Sequence, residues 1–133
     1  DGVQLGTRFA LAAESSAHEA FKQLCVTIGE GDTMLALKKL SPVRMIKNEF
    51  YRRVAEAEAR GASAEELREL LGAKRSKRGI FEGDLTEGEL EIGQIASLIR
   101  EVEPVAEIMR RLVTEFDTAV ERISRWKTDT GKA

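Results

Sequence analysis

The stretch VQLGTRF, residues 3–9, contains residue types that hold an anion. Gly6 lets the backbone approach a ligand closely, and Thr7 adds a hydroxyl donor. Bare backbone N–H groups in such a turn are the usual partners of a phosphate. Arg8 would either add positive charge or be held in a salt bridge, and the triplet alone decides neither. A second set, Lys74, Arg75, Lys77 and Arg78, reads as a phosphate or nucleotide patch or as a solvated helix face. With no aromatic residue interleaved among these charges, the solvated face is the better reading. Other chemistry-bearing residues are few. Cys25 is the only cysteine and lies in an apolar segment, so it reads as a buried, inert thiol with no disulfide partner. One histidine, His18, is too few for a His-rich metal cluster, and no metal site is expected.

These residues need elements to position them. Val3, Leu5 and Phe9 share one face of an extended segment, which predicts a strand ending at the Gly-Thr turn. A helix is expected over SSAHEAFKQLCVTI, with Ser16 and Glu19 as a capping box, ending at Gly29 and Gly31. The segment TMLALKKLSPVRMIKNEF fits neither period. It reads as extended or irregular up to Pro42, with a helix from about Lys47 to Arg60. Ser63 and Glu66 form a second capping box for a short helix stopped by Gly72. A loop then leads into a helix at about Gln94. The last helix starts near Pro104, with a stripe from Val105 through Ile108, Leu112, Phe116 and Val120 to Trp126. Glu107 with Arg111 and Glu121 with Arg125 have i,i+4 spacing in the favourable order, and residues 127–133 read as a polar tail.

Composition narrows the classes. The chain has 133 residues, of which 42% are hydrophobic, enough for a modest core, and only 5% aromatic. A third of the chain is charged but the net charge is −2, which argues against a nucleic-acid binder. No apolar run reaches the ~18–20 residues a membrane span needs, and no signal-peptide pattern is present; a cytoplasmic setting is expected. A helix-rich chain with one orphan strand at its first residues is odd as a free-standing domain and natural as the end of a barrel.

Four motifs carry a resemblance in that direction: DGVQLGTRF followed by AAESSAHEAFKQ, then SPVRMIKNEF, then FEGDLTEGELEIGQIASLI. In this order, from Asp1 to about Trp126, the chain resembles the C-terminal part of the FMN-dependent enoyl-ACP reductase II and nitronate monooxygenase family. Enzymes formerly called 2-nitropropane dioxygenases belong to that family. The resemblance implies the C-terminal part of a (β/α)8 TIM barrel plus a helical extension, mainly α with one or two short strands when taken alone. Residues 1–28 would be the last strand and helix of the barrel, and residues 29–133 the extension. Such a barrel takes ~250 residues, so a fragment lacking seven strands is expected.

What the resemblance implies for the site can be stated by residue. Gly6 and Thr7 match the Gly-Thr that contacts the FMN phosphate. Gly93 and Gln94, in GQIASL, would line the flavin pocket, or Gly93 would merely let the chain turn into a helix. Arg44, Lys47 and Asn48 would be scaffold around the mouth of the active site. At ELEIG the sequence departs from the reductases' smaller, less acidic stretch, which leaves the substrate preference open at Glu89 and Glu91. The family's catalytic histidine lies in a glycine-rich segment that does not occur here, and His18 does not match it, so no catalytic residue is assigned. The implied activity is NAD(P)H-dependent reduction, through FMN, of an enoyl substrate on acyl carrier protein in fatty-acid synthesis. The alternative in the same fold is oxidation of small nitronates. A reading of another class is a helical interaction module without enzymatic role. The chain alone is expected to be inactive, to bind neither nucleic acid nor membrane, and to form a homodimer through its exposed edges.

Overall fold

A computed structural model describes the backbone of residues 2–129 and the side chains of residues 2–126. Asp1, where the resemblance starts, and residues 130–133 of the expected tail lie outside the described residues. The architecture is mainly helical with one two-stranded antiparallel sheet. In chain order it runs α1 (Thr7–Ala10), α2 (Glu19–Thr27), β1 (Thr33–Ala36), β2 (Val43–Ile46), α3 (Glu49–Ala59), α4 (Ala64–Leu71) and α5 (Val105–Asp129). A π-helical turn (Lys77–Phe81) and a 3-10 turn (Gln94–Leu98) lie between α4 and α5.

β2 organises the centre. It pairs with β1 in the register Thr33 to Ile46, Met34 to Met45, Leu35 to Arg44 and Ala36 to Val43. On its other side residues 90–92 run against it: the Ile46 N–H donates to the Leu90 carbonyl at 3.0 Å, and the Ile92 N–H to the Arg44 carbonyl at 3.1 Å. Successive strand residues point to opposite faces. Ile46 therefore enters one buried cluster, with Phe21, Cys25, Leu90 and Ile92. Met45 enters a second, with Phe50, Val54 and Leu67. The segment before Pro42, expected to be extended or irregular, contains β1, and β2 follows the proline. Neither strand shows in the local pattern, because each is stabilised by a ladder rather than by its own period.

Helix ends follow local chemistry. Ser63 and Glu66 make the expected reciprocal box, with the Ser63 N–H on Glu66 Oε2 at 2.7 Å and the Glu66 N–H on Ser63 Oγ at 3.2 Å. These bonds hold the Glu66 carboxyl below its ordinary pKa. Asn48 caps α3 by accepting from the Tyr51 N–H at 3.0 Å. The same side chain donates to the carbonyls of Leu85 (2.9 Å) and Gly88 (2.8 Å), which ties the segment after α4 to the start of α3. α2 departs from expectation. Its cap is His18, not Ser16: the imidazole Nδ1 accepts from the Ala20 N–H at 3.1 Å.

Two further expectations are corrected, those for residues 3–9 and for the partner of Glu107. Residues 3–9 are not a strand: 2–5 are irregular, with Val3 and Leu5 exposed, and Thr7–Ala10 is helical. A strand needs a neighbour to take its N–H and C=O groups, and among the described residues none lies beside this segment. Glu107 pairs with Arg110 rather than Arg111, which reaches Glu101 and Glu103 instead. The apolar stripe of α5 is mostly uncovered: Ile108 is 2% exposed but Phe116 is 66% exposed. α5 also continues past Trp126 to Asp129.

Candidate functional site

Residues far apart in sequence meet beside β2. Pairing of residues 90–92 with β2 carries Gly93 to the head of α1, where the Gly93 N–H donates to Thr7 Oγ1 at 3.1 Å. Around this contact lies an open depression of about 400 Å3, lined by Thr7, Ala10, Val43, Arg44, Glu91, Ile92 and Gly93. Two tight backbone crossings help to place its wall. A Cβ on Gly88 would lie 2.2 Å from the Gly79 Cα, and a Cβ on Gly79 would lie 2.8 Å from the Glu89 carbonyl oxygen. Only glycine lets the π-helical turn pack this closely on residues 88–89, the run that leads into 90–93.

The depression combines directed donors with one opposing charge. Arg44, half-buried, is braced by Nη1 donating to the Thr33 carbonyl and hydroxyl, both at 3.3 Å. Thr7 contributes a hydroxyl, and it heads a helix whose first N–H groups have no intrahelical partner. Glu91 adds a carboxylate to the same lining. Its neighbour Glu89 is buried, and its carboxyl is pushed up to about 7, first by burial and then by the Glu91 charge, with Arg75 pulling the other way. A hydroxyl, a guanidinium and a nearby backbone N–H suit a phosphate oxygen better than a metal or an apolar group. Among the described residues no group of three or more His, Cys, Asp and Glu could hold a metal ion.

The expected site residues divide. Thr7 and Gly93 are brought together. Gly6 is the exposed N-cap of α1, its carbonyl accepting from the Ala10 N–H at 2.9 Å. Gln94, the next residue after Gly93, is exposed and lines a different depression with Glu30 and Arg100. Arg8 takes the salt-bridge role: it pairs with the buried Glu103 and donates to the Glu101 carbonyl at 3.2 Å, pinning α1 to the segment before α5. Burial, and next the Arg111 charge, lowers its pKa.

Other candidates are structural. Within the basic run, Arg75 stacks 4.5 Å above the Phe50 ring and bonds the Glu87 carbonyl. Lys77 pairs with Glu82 and Arg78 with Asp84. Asn48 is scaffold, as its three hydrogen bonds require. Burial pushes the Cys25 thiol up to about 12, which keeps it protonated and unreactive. His18 is not among the residues lining the depression. Arg44, expected as scaffold around the mouth of the active site, lines the depression itself. The signal that places it was the register of β2, invisible without its partners.

Comparison with known proteins gives a consistent picture. The family model described as nitronate monooxygenase matches residues 1–115. Among solved structures, FabK from Thermotoga maritima superimposes with a TM-score of 0.84 at 32% identity over 95% of this chain. A point mutant of the same protein gives 0.77 at 31% identity over 94%. The chain spans 40% of the length of the first and 37% of the second. Among the described residues no helix is long and apolar enough to cross a membrane.

Proposed function

The chain belongs to the nitronate monooxygenase family, and from that premise we propose that it is the C-terminal portion of an FMN-dependent enoyl-ACP reductase. In this reading residues 1–28 complete a (β/α)8 barrel and residues 29–133 form its helical extension. Residues 2–5, irregular here, would take up strand conformation where neighbouring strands supply the ladder, with Thr7 at the head of α1 as observed.

The observation that carries the reading is the meeting of Thr7 and Gly93 across 86 residues of sequence, beside Arg44. The donor set fits the phosphate end of a flavin mononucleotide. The Thr7 hydroxyl would donate to a phosphate oxygen, and Gly6, beside which an added Cβ would meet nothing within 4 Å, leaves space for one. Arg44, fixed against Thr33, would offset the phosphate charge that Glu91 opposes. Bound flavin supplies the redox chemistry, and the chain's residues bind and orient it. His18 serves as a helix cap and does not line the depression.

The match to the nitronate monooxygenase model favours a second reading, oxidation of a small nitronate. Support for the reductase comes from the two FabK neighbours and from the SSAH and VRMIKN motifs. The full-length protein should be assayed with a crotonyl thioester and NADH or NADPH, and separately with an alkyl nitronate and O₂. Turnover of the thioester is expected. Turnover of the nitronate alone would overturn the ordering.

A further inference from the structure

We infer that Gly93 is a positioning residue: its backbone N–H and its missing side chain together hold the Thr7 hydroxyl in the orientation that meets a phosphate. The inference rests on the reading above, in which Thr7 contacts the phosphate of the cofactor.

Glycine at 93 is not demanded by the backbone. Its φ of −71° and ψ of 156° are open to any L-residue, so the turn into the 3-10 helix does not explain it. The surroundings do. A Cβ placed on residue 93 would lie 2.4 Å from Thr7 Oγ1, while its next neighbours, Thr7 Cβ and Ile95 Cγ2, are at 3.6 and 4.0 Å. The Thr7 hydroxyl is therefore the one group that a side chain at 93 would displace.

The hydrogen bond completes the argument. A hydroxyl has one donor and two acceptor sites. With the Gly93 N–H on one acceptor site at 3.1 Å, the oxygen is held, and its proton stays available for an incoming acceptor. A threonine side chain chooses among staggered rotamers at χ1, so Thr7 has alternatives for its hydroxyl. Gly93 selects among them by attracting the oxygen and by leaving it room. A pre-oriented donor binds an anion without first giving up rotamer freedom. With alanine at 93 the crowding falls on the Thr7 side chain and not on any backbone atom.

The test compares FMN with riboflavin, which lacks the phosphate, by flavin fluorescence titration of the apo form of the full-length protein. The variants are Gly93→Ala, Thr7→Ala and the pair combined, each checked for an unchanged thermal melt. Gly93→Ala should weaken FMN about tenfold, the loss of roughly one charge-assisted hydrogen bond, and leave riboflavin within about twofold. In the Thr7→Ala background, where neither the hydroxyl nor the crowding remains, Gly93→Ala should cost nothing further. Equal weakening of both flavins, or an undiminished loss in the Thr7→Ala background, would overturn the positioning role while leaving the phosphate contact standing. If Thr7→Ala leaves the preference for FMN over riboflavin unchanged, the contact and the inference fail together.

Discussion

Replacing Glu89 by Gln should stabilise the chain, and increasingly so as pH rises. Glu89 is 6% exposed, and its own N–H donates to the Arg75 carbonyl at 3.1 Å. Its carboxyl is pushed up from 4.5 to about 7, chiefly by burial, next by Glu91, with Arg75 only partly compensating. Between these two values the folded chain keeps a proton that the unfolded chain has released. Stability contributed by the neutral acid is therefore complete below about pH 4.5 and is lost as pH rises through 7. At about 1.4 kcal/mol per unit, the lost contribution at pH 8 is on the order of 3 kcal/mol. Glutamine has nearly the same shape and carries no charge at any pH, so it escapes that loss. Urea unfolding of both proteins at pH 4, 6 and 8 measures the difference. The two should agree within about 0.5 kcal/mol at pH 4 and diverge by about 2–3 kcal/mol at pH 8. Carboxylates remote from position 89 act alike in both proteins and cancel. A gap independent of pH would refute the buried-acid reasoning.

Two further outcomes follow from the packing. Ser63→Ala removes half of the capping box of α4 and should cost about 1 kcal/mol in denaturant unfolding; a cost below about 0.3 kcal/mol would mean that the α4 terminus does not depend on its cap. Phe116→Glu, on the uncovered face of α5, should change stability by no more than about 0.5 kcal/mol, whereas Phe50→Ala in the second cluster should cost about 3–5 kcal/mol. Comparable losses in the same melts would mean that the α5 stripe is covered.

The site was half legible. Thr7 and Gly93 each stood out in the sequence, one by its hydroxyl beside a glycine and one by its motif, but nothing local said that they touch. Arg8 left two roles open, and only the placement of Glu103 beside it decided for the salt bridge. Arg44 entered the site because β2 has a neighbour on each side, and a four-residue strand cannot announce its partners.

What the sequence determined by itself is what short-range chemistry carries. The Ser63 box, the stop at Gly72 and the start of α5 after Pro104 depend on a few adjacent residues, and so could be read from them. The order of four motifs likewise identified the family. Tertiary structure alone decided whatever depends on a partner far along the chain. It made two strands of an ambiguous segment, gave the α2 cap to His18 and left the α5 stripe uncovered. It also set the Gly93 N–H on the Thr7 hydroxyl. A hydrogen-bond ladder or a packed face belongs to two segments at once, and neither segment encodes the other's position.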